Sequence, residues 1–268
     1  MQDDPVHFFK AWYFLGVMAH SEGRLAEAAD DYRRALRSQP QFEPAYYRLA
    51  LVLAGQRRAD DALQILESAR AHFPDSFQAQ FYNGLVRFQI QDYDEAVRRF
   101  TAAEALARTN SPALLDRQFY FQIGAACERA HLYKRAEDYL QKCIDMGPDD
   151  AEALNYLGFM WADRGEKLPK ARAYIEKACK LEPKNAAYLD SMGWVLFKLN
   201  QPEQALPWLI KAVELSPEPD ATILDHLGDV YLSLRQLGKA MENWKKSLDI
   251  EPNDEVKRKL QLWNAGAT

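Results

Sequence analysis

The stretch Leu189–Lys198, LDSMGWVLFK, carries two patterns on one helix. Leu189, Met192 and Leu196 recur at three- and four-residue steps and make one apolar face. Asp190, Trp194 and Phe197 fall on a neighbouring stripe, with about 100° of rotation per residue. Gly193 sits between the two. The arrangement returns along the chain. Gly16, Ala50, Gly84, Gly124, Gly158, Gly193 and Gly228 each stand in a first apolar helix. Ala28, Ala62, Ala96, Ala136, Ala171, Ala205 and Ala240 follow 12 or 13 residues later in a second. Four residues after each of these comes a bulky side chain: Tyr32, Leu66, Phe100, Leu140, Ile175, Leu209 and Trp244. Two antiparallel helices approach closely only where side chains are small, and a large one must then fill the adjoining hole.

Proline marks the same period. Pro40, Pro74, Pro148, Pro183, Pro217 and Pro252 follow helix-like stretches at spacings of 34, 74, 35, 34 and 35. A period of ~34 residues, with this small–large alternation, resembles the tetratricopeptide repeat family. The resemblance covers seven repeats at 9–42, 43–76, 77–116, 117–150, 151–185, 186–220 and 221–254. It implies an all-α fold, a right-handed α-solenoid of seven helix-turn-helix repeats, closed by a C-terminal capping helix.

Departures from the pattern carry their own expectations. About six extra residues around ARTNSPALLD predict a longer helix or loop between the third and fourth repeats. Pro169 and Pro202 suit helix starts. Pro207 falls inside a helix and predicts a kink near Glu203. Residues 255–264 read as a cap: Val256, Leu260 and Trp263 share one face, and Lys257, Arg258 and Lys259 point away. At the other end, Asp4–Pro5 can open a helix rich in aromatics (Phe8, Phe9, Trp12, Tyr13, Phe14). That end either receives further repeats, packs on another molecule, or folds back on the first repeat.

In the resembled family the first helices line a concave face. The positions so placed here include Tyr13, Phe14, Tyr47, Arg48, Phe81, Tyr82, Phe88, Phe121, Tyr156, Phe159, Asp190, Trp194, Phe197, Asp225, His226 and Asp229. Eleven of these are aromatic. If each ring leaves ~60 Å² of its ~150–250 Å² open, the groove exposes roughly 650 Å². That is more than the ~300–600 Å² patch of an ordinary monomer. Trp194 is expected partly exposed, beside an acidic end (Asp190, Asp225, Asp229) that would favour a basic or amine-bearing ligand group.

Composition narrows the function. Net charge is −5, which disfavours a general nucleic-acid binder. No apolar run reaches the ~18 residues of a membrane span, and the N-terminal stretch shows no export signal. Three cysteines, Cys127, Cys143 and Cys179, form no CxxC pair and read as buried small residues. No cofactor is implied, since there is no HExxH, GxSxG or phosphate loop.

The leading reading is therefore a non-catalytic scaffold or adaptor that holds a peptide segment of a protein partner in the aromatic groove. A clamp for acidic chaperone tails needs Lys and Asn at set positions. Tyr13, Val17, Arg48, Gln78 and Tyr82 stand there instead. Self-assembly is the alternative, including a homodimer through the aromatic N-terminal helix. A hydrolase using Asp190, Asp225 and Asp229 is the remote third. The stretches AEALNYLGFMWADRG and AYLDSMGWVLFKL are similar to the final repeats of bacterial tetratricopeptide proteins, some of them envelope lipoprotein adaptors. This implies a bacterial source and leaves cytoplasm and periplasm or envelope both open.

Overall fold

The small–large alternation becomes a series of helix pairs. The computed structural model describes residues 8–265, with side chains described as far as Leu262. The expected N-cap at Asp4–Pro5 and the packing of Trp263 lie outside the described residues. Among the described residues all regular structure is helical, in seven antiparallel pairs and a final single helix. The pairs are α1 (Phe9–Ser21) with α2 (Leu25–Ser38), α3 (Glu43–Gly55) with α4 (Ala59–His72), and α5 (Phe77–Gln89) with α6 (Tyr93–Asn110). Then come α7 (Arg117–Arg129) with α8 (Tyr133–Met146), α9 (Ala151–Asp163) with α10 (Leu168–Leu181), α11 (Ala186–Lys198) with α12 (Pro202–Leu215), and α13 (Ala221–Ser233) with α14 (Leu237–Ile250). The last helix, α15, runs Asp254–Ala265. The chain divides into two compact units, residues 1–143 and 144–268.

Within a pair, the glycine of the first helix lies against the large residue of the second. A Cβ on Gly193 would stand 2.5 Å from Leu209 Cγ, and one on Gly228 2.5 Å from Trp244 Cδ1. Gly16 meets Tyr32 and Gly84 meets Phe100 in the same way. Leu209, Trp244, Tyr32 and Phe100 are all fully buried. The interlock fixes the register in which each pair packs.

The turns inside the pairs need a left-handed residue. Gly23 supplies it in the first pair, but Arg57, Gln91, His131, Asn200 and Arg235 supply it in others, with φ near 60°. Side-chain-bearing residues enter this region at modest cost when the turn is fixed from both sides. At Asn200 the turn is held by Asn200 N–H to Phe197 C=O at 2.8 Å and Gln201 N–H to Leu196 C=O at 3.0 Å. No glycine signal marks these turns in the sequence.

Two departures from the repeat pattern take definite form. The insertion lengthens α6 to 18 residues, against 14 for α2 and α4, and ends in a short 3-10 turn at Pro112–Leu114. Pro207 lies inside α12, which runs from Pro202, its first residue, to Leu215. The Pro207 ring is exposed, so its bulk meets solvent rather than a neighbouring helix. Pro169 lies in the first turn of α10, as expected. All three cysteines are buried thiols, Cys179 donates to the Tyr188 carbonyl at 3.2 Å, and burial pushes the thiols of Cys127 and Cys179 up to about 11.

The interlock makes a direct prediction. Gly228→Ala forces a methyl into the indole of Trp244, a rigid ring that is also hydrogen-bonded to Asp229. We expect a loss of about 1–3 kcal/mol from overpacking, read as a lower midpoint in urea unfolding with an unchanged slope.

Candidate functional site

In the first unit the residues expected to line the groove stand on α1, α3, α5 and α7. Phe14 stands 61% exposed, and Tyr13, Phe81, Tyr82, Phe88 and Phe121 are half-buried. Neighbouring rings hold them in place. Tyr13 meets Phe42 edge-on at 5.1 Å, Phe81 stacks on Phe77 at 5.6 Å, and Phe88 meets Tyr93 edge-on at 5.4 Å. Such contacts add about 0.5–1.5 kcal/mol each beyond the area they bury, so the stripe is preformed. Tyr47 departs from expectation. It is 2% exposed, lies parallel to Tyr82 at 4.8 Å, and donates its hydroxyl to Glu43 at 2.5 Å. It is a core residue that supports Tyr82 and presents no surface. Arg48 is half-buried on the same stripe.

The second unit is different. Tyr156, Phe159 and Phe197 are half-buried, but Asp190, Trp194 and His226 are buried. The expected exposure of Trp194 is corrected: the side chain is 8% exposed. The register itself stands, since Gly193 meets Leu209 inside the pair. What covers Trp194 comes from the flanking helices and from its own. His226 of α13 stacks on the indole at 3.9 Å, Phe197 lies at 5.2 Å, and the indole N–H donates to Asp163 of α9 at 3.3 Å. The Lys198 ammonium caps the ring at 4.8 Å and donates to the Asp163 carbonyl at 2.8 Å.

The acidic end is likewise closed. Asp190 accepts from His226 Nδ1 at 2.9 Å. Lys259 of α15, expected to face away, instead turns inward and binds Asp225 at 2.7 Å and Asp229 at 2.8 Å. Asp229 also accepts from the Trp244 indole at 3.1 Å. The three carboxylates are therefore paired internally. They offer neither a vacant amine site nor an open pair of acids for glycoside cleavage. Burial pushes Asp229 above the usual carboxylate range, although Lys259 opposes this. For His226 burial pulls the pKa down, but Asp190, with Asp225 and Asp229 behind it, outweighs burial and raises it. The residues that sequence reasoning missed, Lys259 and Asp163, lie 34 residues after Asp225 and 31 before Trp194. The repeat period is the signal that could have found them.

Three sequence profiles of the tetratricopeptide repeat match residues 19–83, then 84–151 and 128–186, then 186–219 and 221–254. The chain belongs to the tetratricopeptide repeat family, whose repeats are in general protein-interaction modules. It is 32% identical over 213 residues to a TPR repeat-containing protein of Pseudomonas aeruginosa, across 77% of this chain. The match spans 35% of that longer protein. Among solved structures, a tetratricopeptide repeat protein from Parabacteroides merdae superposes with a TM-score of 0.73 at 16% identity, over 96% of this chain and 98% of that one. YrrB, described as a TPR protein with an unusual peptide-binding site, gives 0.57 at 20% identity, over 78% of this chain and 100% of that one. No helix among the described residues is long and apolar enough to cross a membrane.

The His226–Asp190 pair predicts a pH dependence. Because the folded pKa of His226 is raised above 6.5, its stabilisation is complete below pH 6.5 and fades as pH climbs through the folded pKa. The gap in unfolding free energy between the parent protein and His226→Gln should shrink steadily from pH 6 towards pH 9 in denaturant titrations. A gap that widens with pH would reverse the assignment.

Proposed function

We propose that the protein is a non-catalytic interaction scaffold that holds a peptide segment of a protein partner, and that the inner stripe of the first unit does the holding. The observation that carries this is the row Tyr13, Phe14, Phe81, Tyr82, Phe88 and Phe121, left half-buried or open while the core behind it is fully packed. Rings fixed by their neighbours offer large contact area at low entropic cost, which is how hot-spot anchors work. The described peptide-binding site of YrrB, a neighbour in fold, supports the reading by analogy. The second unit contributes less, since its charges and its Trp194 are engaged internally.

The test uses a random peptide display library selected on the intact protein. Parent protein should enrich peptides with apolar or aromatic residues, and a folded Phe81→Ala/Tyr82→Ala variant should lose them by tenfold or more. Equal enrichment on both proteins, or none on the parent, would reject the groove.

A second reading, self-association, has its own observation. Phe8, Leu15 and Met18 are 49%, 46% and 56% exposed on α1. The residues equivalent to Leu15 and Met18 in the next pair, Leu49 and Val52, are completely buried. Light scattering across a hundredfold range of concentration should show a dimer that Leu15→Glu/Met18→Glu converts to monomer. A monomer throughout removes this reading and leaves the scaffold untouched.

A further inference from the structure

One repeat position of the second unit breaks step with its neighbours. Three residues after the close-contact glycine, α9 carries Trp161 and α13 carries Tyr231, whereas α11 carries Leu196. In the α9–α10 pair the Trp161 indole reaches the second helix and meets Tyr174 at 5.4 Å. Trp208 of α12 stands where Tyr174 stands in α10, each one residue before the large interlocking side chain. Leu196 is too short to fill the space that an aromatic ring takes up one repeat earlier. Leu196 and Trp208 instead line a cleft of about 320 Å³ between α10, α11 and α12. That volume falls at the lower end of the ~300–1,000 Å³ of small-molecule sites.

The lining is divided by polarity. Leu189, Met192 and Leu196 make a buried apolar floor, and the half-buried Trp208 makes one wall. Arg172 and Lys180 of α10 and Lys211 of α12 stand around it. Glu176 is the one carboxylate of the lining, and Lys180 takes it at 2.8 Å. That contact, with Arg172 a turn away adding to it, holds the Glu176 carboxyl below the usual range. Neither Arg172 nor Lys211 forms an ion pair among the described residues. Three cations thus share one acid, in a chain whose net charge is −5.

The missing ring and the surplus of cations are independent observations, and one kind of ligand answers both. The floor and the indole gain when an apolar chain takes the place of water. The cations gain from an anion, and the Arg172 fork suits a carboxylate. An amine-bearing amphiphile would meet like charge, and a bare anion would leave the floor uncovered. A space of this size takes one short chain rather than a helix, whose diameter is ~10–12 Å. The cleft also lies apart from the residues expected on the groove, none of which lines it.

We propose that the cleft between α10 and α12 binds a small amphipathic carboxylate, a free short-chain acyl acid, with its chain on Leu189, Met192, Leu196 and Trp208 and its carboxylate at Arg172 and Lys211. The site is separate from the groove and does not depend on it.

The test is a titration of the full chain with sodium octanoate, kept below micelle formation. It is followed at the Met192 methyl resonance of protein labelled with carbon-13 at methionine methyls. The resonance is assigned by its loss in Met192→Leu. We expect a saturable shift with octanoate, and none with octylammonium or with acetate. Arg172→Glu/Lys211→Glu alters two side chains outside the core and should weaken octanoate binding by at least about tenfold. Leu196→Phe, which restores an aromatic ring at this position, should abolish binding. Should that variant fail to fold, the charge variant carries the test. Phe81→Ala/Tyr82→Ala should bind octanoate as the parent does. The proposal is overturned by the absence of a saturable shift, by an equal response to octylammonium or acetate, or by unchanged binding in the charge variant. A response to phosphatidylglycerol vesicles with none to octanoate would also overturn it, in favour of a lipid surface.

Discussion

The close approach of two helices at a residue without a side chain is the constraint on which the molecule depends. Gly193 against Leu209 and Gly228 against Trp244 leave no room for a methyl group, so each of these pairs can pack in one register alone. That register decides which stripe of the first helix meets the second, and so which stripe remains for the inner face. The aromatic row of the first unit and the charge network of the second are both consequences of it. A slip of one residue would turn every side chain on the first helix by about 100° and exchange core for surface.

Given the same scaffold, the two units use the inner stripe differently. In the second unit, side chains one repeat apart reach each other: His226 meets Asp190, Lys259 meets Asp225, and Trp194 meets Asp163. These contacts tie successive first helices together, and the polar groups taking part are satisfied by one another, as buried polar groups must be. In the first unit the corresponding stripe carries rings whose polar atoms are few. The rings support one another through edge and stacked contacts and still present open faces. One part of the chain thus spends this stripe on cohesion, and the other leaves ring faces open along it.

Much of this was legible in the sequence. The helix pairs follow from the spacing of Gly84 and Phe100, or Gly158 and Ile175, because steric exclusion acts between residues at fixed separation. The insertion after the third pair and the helix starts at Pro169 and Pro202 follow from local backbone rules. The left-handed turns at Arg57 and Asn200 were not legible, since neither residue advertises a positive φ. The uninterrupted course of α12 through Pro207 was also not legible. Local chemistry argued for a kink there, and the helix runs on to Leu215.

The sequence by itself determined the fold class and which residues share a stripe of each first helix, because both depend on periodicity along a single helix. The tertiary structure alone decided how far each of those residues is exposed and which charges are paired. Exposure at Trp194, Tyr47 and Asp190 is set by side chains about one repeat period away, His226 and Tyr82 among them, whose reach depends on how helices stack. A helical pattern gives the direction of a side chain. It does not say what arrives from the next helix to cover it.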